Sequence, residues 1–133
     1  MLIVDAGCLY EIVADTALAG PVQQRLAADQ DQAAPHVIDV EVLNVIRRDH
    51  MLGRLDATAA TQAVGELRDW PGERFSHRTL IDRAWELRQN VRGWDAFYVA
   101  LAEALEATLI TVDRRLGRVR GLACEIEVVP STE

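Results

Sequence analysis

Lysine is absent from this chain of 133 residues, and all 14 of its basic residues are arginines. They stand against 21 acidic residues, which gives a formal net charge of −7. Because contacts with phosphate groups need positive charge, this balance argues against a protein that coats nucleic acid. The exclusive use of arginine has two interpretations, a GC-rich coding bias or bidentate binding of phosphates at a particular site.

Cysteine and long apolar runs are also scarce. The two cysteines, Cys8 and Cys124, have neither metal-ligand spacing nor a CxxC pattern, so we interpret both as small buried apolar residues. No apolar run reaches the roughly 18 residues needed to cross a bilayer, and the first residues lack the basic and apolar segments of a signal peptide. We therefore expect a cytoplasmic protein with no membrane association.

Missing residues exclude several chemistries. Gly7 stands where a phosphoaspartate phosphatase would have a second aspartate after Asp5, and a receiver domain would need a lysine. Neither a glycine-rich nucleotide loop nor a GxSxG nucleophile elbow occurs. The three histidines do not have the spacing of metal ligands; they are His36, His50 and His77.

Short β-rich runs alternate with helical stretches along the whole chain. Strands are expected at Leu2–Asp5, within Ala34–Asp39, and at Glu73–Ser76, Thr108–Val112 and Glu125–Val129. Helices are expected at Cys8–Ala14, Pro21–Ala28, Val40–Met51, Thr58–Trp70, Thr79–Val91, Asp95–Glu106 and Arg114–Arg118. This alternation indicates parallel βαβ units with right-handed crossovers. We predict one domain over residues 1–133, an α/β protein built as a three-layer α/β/α sandwich around a mostly parallel sheet of four or five strands.

Four acidic residues lie where the strands of such a sheet would end. Asp5 and Asp113 each end a predicted strand, Asp95 begins a helix, and Glu41 is expected in the first turn of the helix after the second strand. Because ligands bind outside the carboxyl ends of parallel strands, we expect these four acids to meet at one edge of the sheet. Each acid taken alone could instead be a helix cap or a partner of a helix dipole.

Together, the four acids indicate a site for a divalent cation. Carboxylates that lie close together repel each other and raise each other's pKa values unless a cation intervenes. Carboxylate oxygens are the ligands that suit Mg²⁺ or Mn²⁺. Such an ion can activate water and neutralise the charge of a phosphodiester transition state.

The pattern resembles the PIN-domain family and, within it, the VapC-type toxins. Four stretches carry the resemblance in the family's order, and they are Leu2–Ala6, Pro35–Arg48, Trp94–Glu103 and Leu109–Leu116. By this resemblance, Asp5, Glu41, Asp95 and Asp113 match the family's metal-binding acids. The resemblance implies an endoribonuclease that depends on Mg²⁺ or Mn²⁺, acts on cellular RNA, and is inhibited by a cognate antitoxin. It also implies a homodimer.

One departure from the family concerns a hydroxyl group beside the acids. The family often has Ser or Thr two residues after the first aspartate, where this chain has Gly7. Thr111 could supply a hydroxyl instead, since it precedes Asp113 by two residues and therefore lies on the same side of its strand. Thr111 could equally be there because threonine favours strands.

Some residues near these acids have two possible roles. Arg114 and Arg115 could hold RNA phosphates or form a solvated basic face. Trp94 could stack on a base or pack in the interior.

Apolar residues of the first two helices predict a groove for an antitoxin helix, unless they face the core or a second copy of the chain; they are Leu9, Ile12, Val13, Val22 and Leu26.

Two other functions stay open within the same resemblance. The first is a housekeeping PIN nuclease that matures RNA, and the second is a catalytically silent PIN-like binding module. The presence of all four acids favours an enzyme over the silent module.

Overall fold

The computed structural model describes residues 1–130, in which a five-stranded sheet lies between two layers of helices. The strands are β1 (Leu2–Val4), β2 (Gln32–Pro35), β3 (Glu73–Phe75), β4 (Thr108–Thr111) and β5 (Ile126–Val128). Their order is β3-β2-β1-β4-β5, and every neighbouring pair is parallel. The predicted α/β fold with a mostly parallel sheet is confirmed. Residues 131–133, which belong to the predicted domain of residues 1–133, lie outside the described residues.

Six α-helices connect the strands. They are α1 (Ala6–Val13), α2 (Ala19–Ala27), α3 (Val37–Met51), α4 (Ala57–Asp69), α5 (Ile81–Glu86) and α6 (Asp95–Ala104), and 3₁₀ turns lie at Arg78–Leu80 and Leu116–Arg118. The first two crossovers step toward one edge of the sheet, and the third returns past β1 to β4. Because parallel crossovers are right-handed, α1–α4 cover one face and α5 and α6 cover the other.

The core is centred on β1, β4 and α6. All residues of β1 are buried, and six of the ten residues of α6 are buried because small and apolar side chains let this helix lie directly on the sheet. Burial of such side chains is the main favourable contribution to folding. Within residues 1–130, every helix falls short of the length and apolar character needed to traverse a bilayer.

The predicted boundary between the second strand and its helix is wrong. The strand was expected within Ala34–Asp39, but β2 ends at Pro35 and α3 begins at Val37. Short apolar runs fit a strand and a buried helix equally well, so periodicity alone cannot separate them. As a consequence, Glu41 lies in the second turn of α3 and not in the first.

The predicted helix Thr79–Val91 is also wrong in extent. A 3₁₀ turn leads into α5, which ends at Glu86. Beyond that point the N–H groups of Arg88 and Asn90 donate to carbonyls three residues earlier, so the chain continues in turns. These turns lead to Gly93, whose φ of +42° is a conformation that glycine adopts without strain.

The expected apolar groove on the first two helices is wrong as well. Leu9, Val13, Val22 and Leu26 are buried in the core, and Ile12 packs against it. The large apolar side chains that are exposed lie elsewhere, at Met1, Val40, Leu43, Met51, Leu52, Val64, Ile81, Trp85 and Trp94. The alternative interpretation, in which the apolar residues of α1 and α2 face the core, agrees with the structure.

Candidate active site

The four predicted acids are found at the carboxyl edge of the sheet, beside its two central strands. Asp5 directly follows β1, and Asp113 follows β4 by two residues. The chain leaves β1 toward β2 on one side, while β4 lies on its other side. This is a topological switch point, where the loops diverge and leave a crevice in which parallel sheets bind ligands.

Asp5 is the most buried of these acids, with only 7% of its surface exposed. Its carboxylate caps α1 by accepting a hydrogen bond of 2.9 Å from the N–H of Cys8. Burial raises the pKa of Asp5 to about 6, although hydrogen bonds from Thr111 and Cys8 oppose the change. The carboxyl is therefore held in an environment that disfavours its charge when no cation is near.

Glu41 enters the site from α3 and is held by Tyr98 of α6. The Tyr98 hydroxyl donates a hydrogen bond of 2.8 Å to Oε1 of Glu41. Burial raises the pKa of Glu41, and the charges of Asp95 and Asp5 raise it further against the effect of the Tyr98 bond. Sequence reasoning gave Tyr98 no role in the site. Its signal was a tyrosine in a buried apolar helix, since a buried hydroxyl needs a partner.

Asp95 and Asp113 differ in their ionisation. Burial raises the pKa of Asp95, and so does the charge of Asp113, while Arg92 and Arg115 oppose the rise. Partial burial acts on Asp113 in the same direction, but hydrogen bonds from Arg115 outweigh it and leave the pKa of Asp113 below its usual range. The Arg115 backbone N–H lies 2.9 Å from the Asp113 carboxylate, and its guanidinium also donates to it.

Thr111 and Gly7 lie beside these acids. The Thr111 side chain is fully buried, accepts a 3.0 Å hydrogen bond from the N–H of Asp113, and lowers the pKa of Asp5. A Cβ at Gly7 would lie 3.6 Å from a carboxylate oxygen of Asp5 but only 3.2 Å from the Val112 side chain. Thr111 therefore brings a hydroxyl close enough to influence Asp5, while a side chain on residue 7 would be crowded.

The donor set fits a divalent cation in its chemistry. The four acids form a chain of electrostatic neighbours, and three of them have raised pKa values. Among residues 1–130, however, no three carboxylate, imidazole or thiol side chains are close enough to form a complete metal site. Mg²⁺ commonly keeps several waters and binds one or two carboxylates together with substrate phosphates, so an incomplete protein ligand set agrees with this ion.

A cleft opens over the acids. A cavity of about 620 Å³ is lined by three of the acids, Glu41, Asp95 and Asp113. Arg92 and Arg115 line the same cavity. Arg114 lines a separate depression with Gly117, Arg118 and Val128. Arg92 was not among the predicted site residues, although its place three residues before Asp95 could have suggested it. The cleft thus combines carboxylates with guanidinium groups.

Glu103 is an acidic residue that stabilises the fold. Glu103 lies on α6, where its carboxylate accepts hydrogen bonds from the Arg83 guanidinium and from the N–H of Ala123. This contact ties α5, α6 and the segment before β5 together. Glu103 is therefore occupied by structural partners and does not join the four acids.

Comparison with known proteins agrees with this geometry. A family model described as PIN domain matches residues 2–122. Ribonuclease VapC1 of Mycobacterium tuberculosis is 36% identical over 128 residues, which cover 96% of each chain. The chain belongs to the PIN-domain family and, within it, to the group of VapC ribonucleases.

Solved structures show the same fold. PAE2754 from Pyrobaculum aerophilum superposes with a TM-score of 0.67 at 22% identity, over 94% of this chain and 89% of that one. VapBC2 from Rickettsia felis, crystallised with a DNA fragment from its promoter, has a TM-score of 0.68 at 12% identity, over 96% of this chain and 97% of that one. At these identities the likeness concerns the fold alone.

Proposed function

We propose that this chain is an endoribonuclease toxin that depends on Mg²⁺ or Mn²⁺, cleaves cellular RNA in the cytoplasm, and is inhibited by a cognate antitoxin. The observation that carries the proposal is the electrostatic coupling of four carboxyls beside the switch point of the sheet, three of them with raised pKa values. Membership of the VapC group supports RNA as the substrate.

The four acids Asp5, Glu41, Asp95 and Asp113 would hold the cation. When bound, such an ion activates water and neutralises charge that develops on the phosphodiester. Tyr98 acts as a positioning residue, because its hydroxyl group fixes the carboxyl of Glu41, and the buried Thr111 hydroxyl lowers the pKa of Asp5. Fixing the ligands in advance matters, since loss of such supporting hydrogen bonds typically weakens metal binding or activity 10- to 100-fold.

The proposal assigns the RNA strand to the cleft and its arginines. The guanidinium of Arg115 already pairs with Asp113, so it lies where a phosphate near the acids would come. Arg114 follows Asp113 directly and is exposed. Guanidinium groups bind phosphates bidentately, which gives the strand both affinity and orientation.

An antitoxin and a second copy of the chain complete the proposal. A cluster of four carboxyls is a suitable binding site for an arginine or lysine of an inhibitor. The exposed apolar side chains of α3, which are Val40, Leu43 and Met51, offer surface for contacts with the antitoxin or in a homodimer. Light scattering of the purified chain tests the homodimer, and a monomer at micromolar concentration would contradict it.

The test of the nuclease is cleavage of RNA by the purified protein with Mg²⁺ or Mn²⁺, with an excess of chelator, and after the substitution Asp95→Asn. Asparagine keeps the shape of the side chain but removes the charge that a metal needs, so we expect cleavage to be abolished while the fold is retained. Asp69→Asn is the matched control, because Asp69 is exposed at the end of α4. Wild-type rates in folded Asp95→Asn, or in chelator, would contradict the proposal.

A second experiment separates the toxin from a housekeeping nuclease. We expect that co-expression with a small open reading frame adjacent to the gene yields a stable complex in which RNA cleavage is suppressed. A housekeeping enzyme would need no such partner and would not arrest growth when expressed alone. Absence of a complex, together with normal growth, would favour the housekeeping function.

A further inference from the structure

We infer that Trp94 is the residue on which an unpaired RNA base stacks beside the site of cleavage. This inference rests on the proposed ribonuclease function and adds a specificity-determining residue to it. Three observations carry it: the unpartnered state of the Trp94 ring, its place between two cavities, and the charges around it.

The three tryptophans of the chain have different surroundings. The Arg74 guanidinium lies 4.8 Å from the centre of the Trp70 ring, and the Arg88 guanidinium lies 4.3 Å from that of Trp85. Trp94 is 49% exposed, and within residues 1–130 its side chain makes no hydrogen bond and stacks on no aromatic or guanidinium group. Burial of such a large apolar ring is favourable, so an exposed ring in a cleft is available to a ligand.

Trp94 lies where the cleft over the acids meets a second cavity. The cavity of about 620 Å³ and a neighbouring one of about 330 Å³ share only two lining residues, Glu41 and Trp94. Trp94 is also the residue immediately before Asp95. A strand bound across the acids would therefore pass Trp94, with nucleotides on both sides of it.

The two cavities differ in the groups that they offer. The larger one carries Arg92 and Arg115, whose charges act on Asp95. The smaller one has no arginine, and its polar groups include Asn44 and the carboxylates of Glu11 and Glu41. Phosphate groups are thus directed to the two arginines of the larger side, whereas the glutamates of the smaller side repel phosphates and leave that side to base edges and riboses. This division agrees with a strand that enters with its backbone on the arginines and one base turned toward Trp94.

Stacking on Trp94 requires a base that is not already stacked between its neighbouring bases in the RNA. Bases of an RNA duplex are stacked and paired, whereas those of single strands, loops and bulges can be splayed onto aromatic side chains. Stacking on an aromatic ring is also tolerant of sequence, because every base has a π face. The inference therefore predicts a preference for unpaired RNA and only a weak preference for a particular base at this position.

The experiment measures KM and kcat for a short unstructured RNA of mixed sequence and for the same RNA annealed to its complement. We expect Trp94→Ala to raise KM for the unpaired RNA about tenfold, with a much smaller change in kcat, and to reduce the preference over the duplex. Trp94→Phe should retain most of the wild-type KM. Trp94 makes no side-chain capping bond at the start of α6, so these substitutions leave the helix intact.

Trp85→Ala is the matched control, since Trp85 is 66% exposed on α5 but lines neither of the two cavities. An unchanged KM in Trp94→Ala would overturn the inference. If Asp95→Asn still abolishes cleavage in that case, the proposed function stands without the inference. A Trp94→Ala variant that only loses antitoxin binding would likewise overturn it. If wild-type protein cleaves neither RNA, the proposed function fails and the inference fails with it.

Discussion

The ionisation of the buried Asp5 carboxyl affects the stability of the metal-free protein. Burial sets its pKa at about 6 in the folded state, against 3.8 for the ordinary group. Between those pH values the folded state binds the proton more tightly than the unfolded state. The stability that Asp5 contributes is therefore greatest at low pH and decreases as pH rises toward about 6. The difference corresponds to about 3 kcal/mol at neutral pH.

We predict that Asp5→Asn stabilises the metal-free protein at about pH 7.5, by up to about 3 kcal/mol, and that the gain disappears near pH 4. Asparagine is neutral at every pH and is itself a good helix cap, so only the buried charge is lost. Thermal melts in chelator at several pH values measure the effect. Addition of Mg²⁺ should then raise the melting temperature of wild-type protein more than that of the variant.

Asp56→Asn is the control for this prediction. Asp56 caps α4 with the same geometry, accepting a 2.8 Å hydrogen bond from the N–H of Ala59, but it is exposed. We expect no comparable pH-dependent gain there. A destabilised Asp5→Asn variant at pH 7.5, or a gain that is equal at all pH values, would contradict the account of Asp5.

Tyr98 gives a second prediction for a single residue. Tyr98→Phe removes the hydrogen bond to Glu41, and since that bond lowers the pKa of Glu41, its loss should raise this pKa. We expect the variant to need about tenfold more Mg²⁺ for half-maximal cleavage. The loss of activity on acidification should begin at a higher pH. Titrations of cleavage rate against Mg²⁺ and pH measure both effects.

Tyr10→Phe is the matched control for Tyr98→Phe, because the Tyr10 hydroxyl also donates to a carboxylate, that of Asp49. Asp49 is not among the four acids, so the Mg²⁺ requirement should not change in Tyr10→Phe. Equal Mg²⁺ requirements in Tyr98→Phe and wild-type protein would show that Glu41 does not depend on Tyr98.

The start of helix α3 depends on a residue that is distant in the sequence. No side chain of its own N-cap residue, His36, bonds to the first turn. Instead Nε2 of His77 accepts a 2.9 Å hydrogen bond from the N–H of Val37, and the His77 ring also lies against Phe97 of α6. This contact links the start of the helix that carries Glu41 to the segment after β3.

We predict that His77→Ala lowers the stability of the protein by about 1 kcal/mol, or a few degrees in melting temperature. The cause is the loss of the acceptor that caps α3. His36→Ala is the control, because His36 is exposed and its side chain forms no cap bond. Equal melting temperatures for the two variants would contradict the role assigned to His77.

Much of the fold was predictable because its signals are local. The apolar runs at β1 and β4, the buried pattern of α6 and the alternation of strands and helices depend on neighbouring residues, and they gave the correct fold class. The start of α3 was not predictable, because its cap comes from His77, forty residues further along the chain. The burial of Leu9 and Val22 was equally hidden, since it depends on how α1 and α2 pack on the rest of the molecule.

The candidate site shows the same division. Its four acids were predictable from their positions after strands and at helix starts and from the family's pattern. The contacts that tune them, from Tyr98 to Glu41 and from Arg115 to Asp113, arise between elements or within a loop. The catalytic assignment of these residues stays a prediction that the substitutions above test.

For the molecule as a whole, the distribution of charge matters more than its sum. A net charge of −7 repels RNA at long range, so binding must depend on local positive charge. Arginines are concentrated in the segment after Asp113, which includes Arg114, Arg115, Arg118 and Arg120. This segment borders the cleft over the acids, whereas Arg68 on α4 belongs to the layer over the sheet and pairs with its neighbour Asp69.

We predict that Arg114→Gln weakens the binding of single-stranded RNA by a similar factor for different sequences and makes it less dependent on salt. Each phosphate contact releases counterions from RNA, so the slope of log affinity against log salt concentration should decrease in magnitude by about 0.7 for one lost contact. Binding to a fluorescent RNA across a range of salt concentrations measures this slope. Arg68→Gln removes the same charge from the whole molecule but not from the segment after Asp113, so its slope should equal that of wild-type protein. Equal slopes for Arg114→Gln and Arg68→Gln would show that net charge, and not the segment after Asp113, governs the approach of RNA.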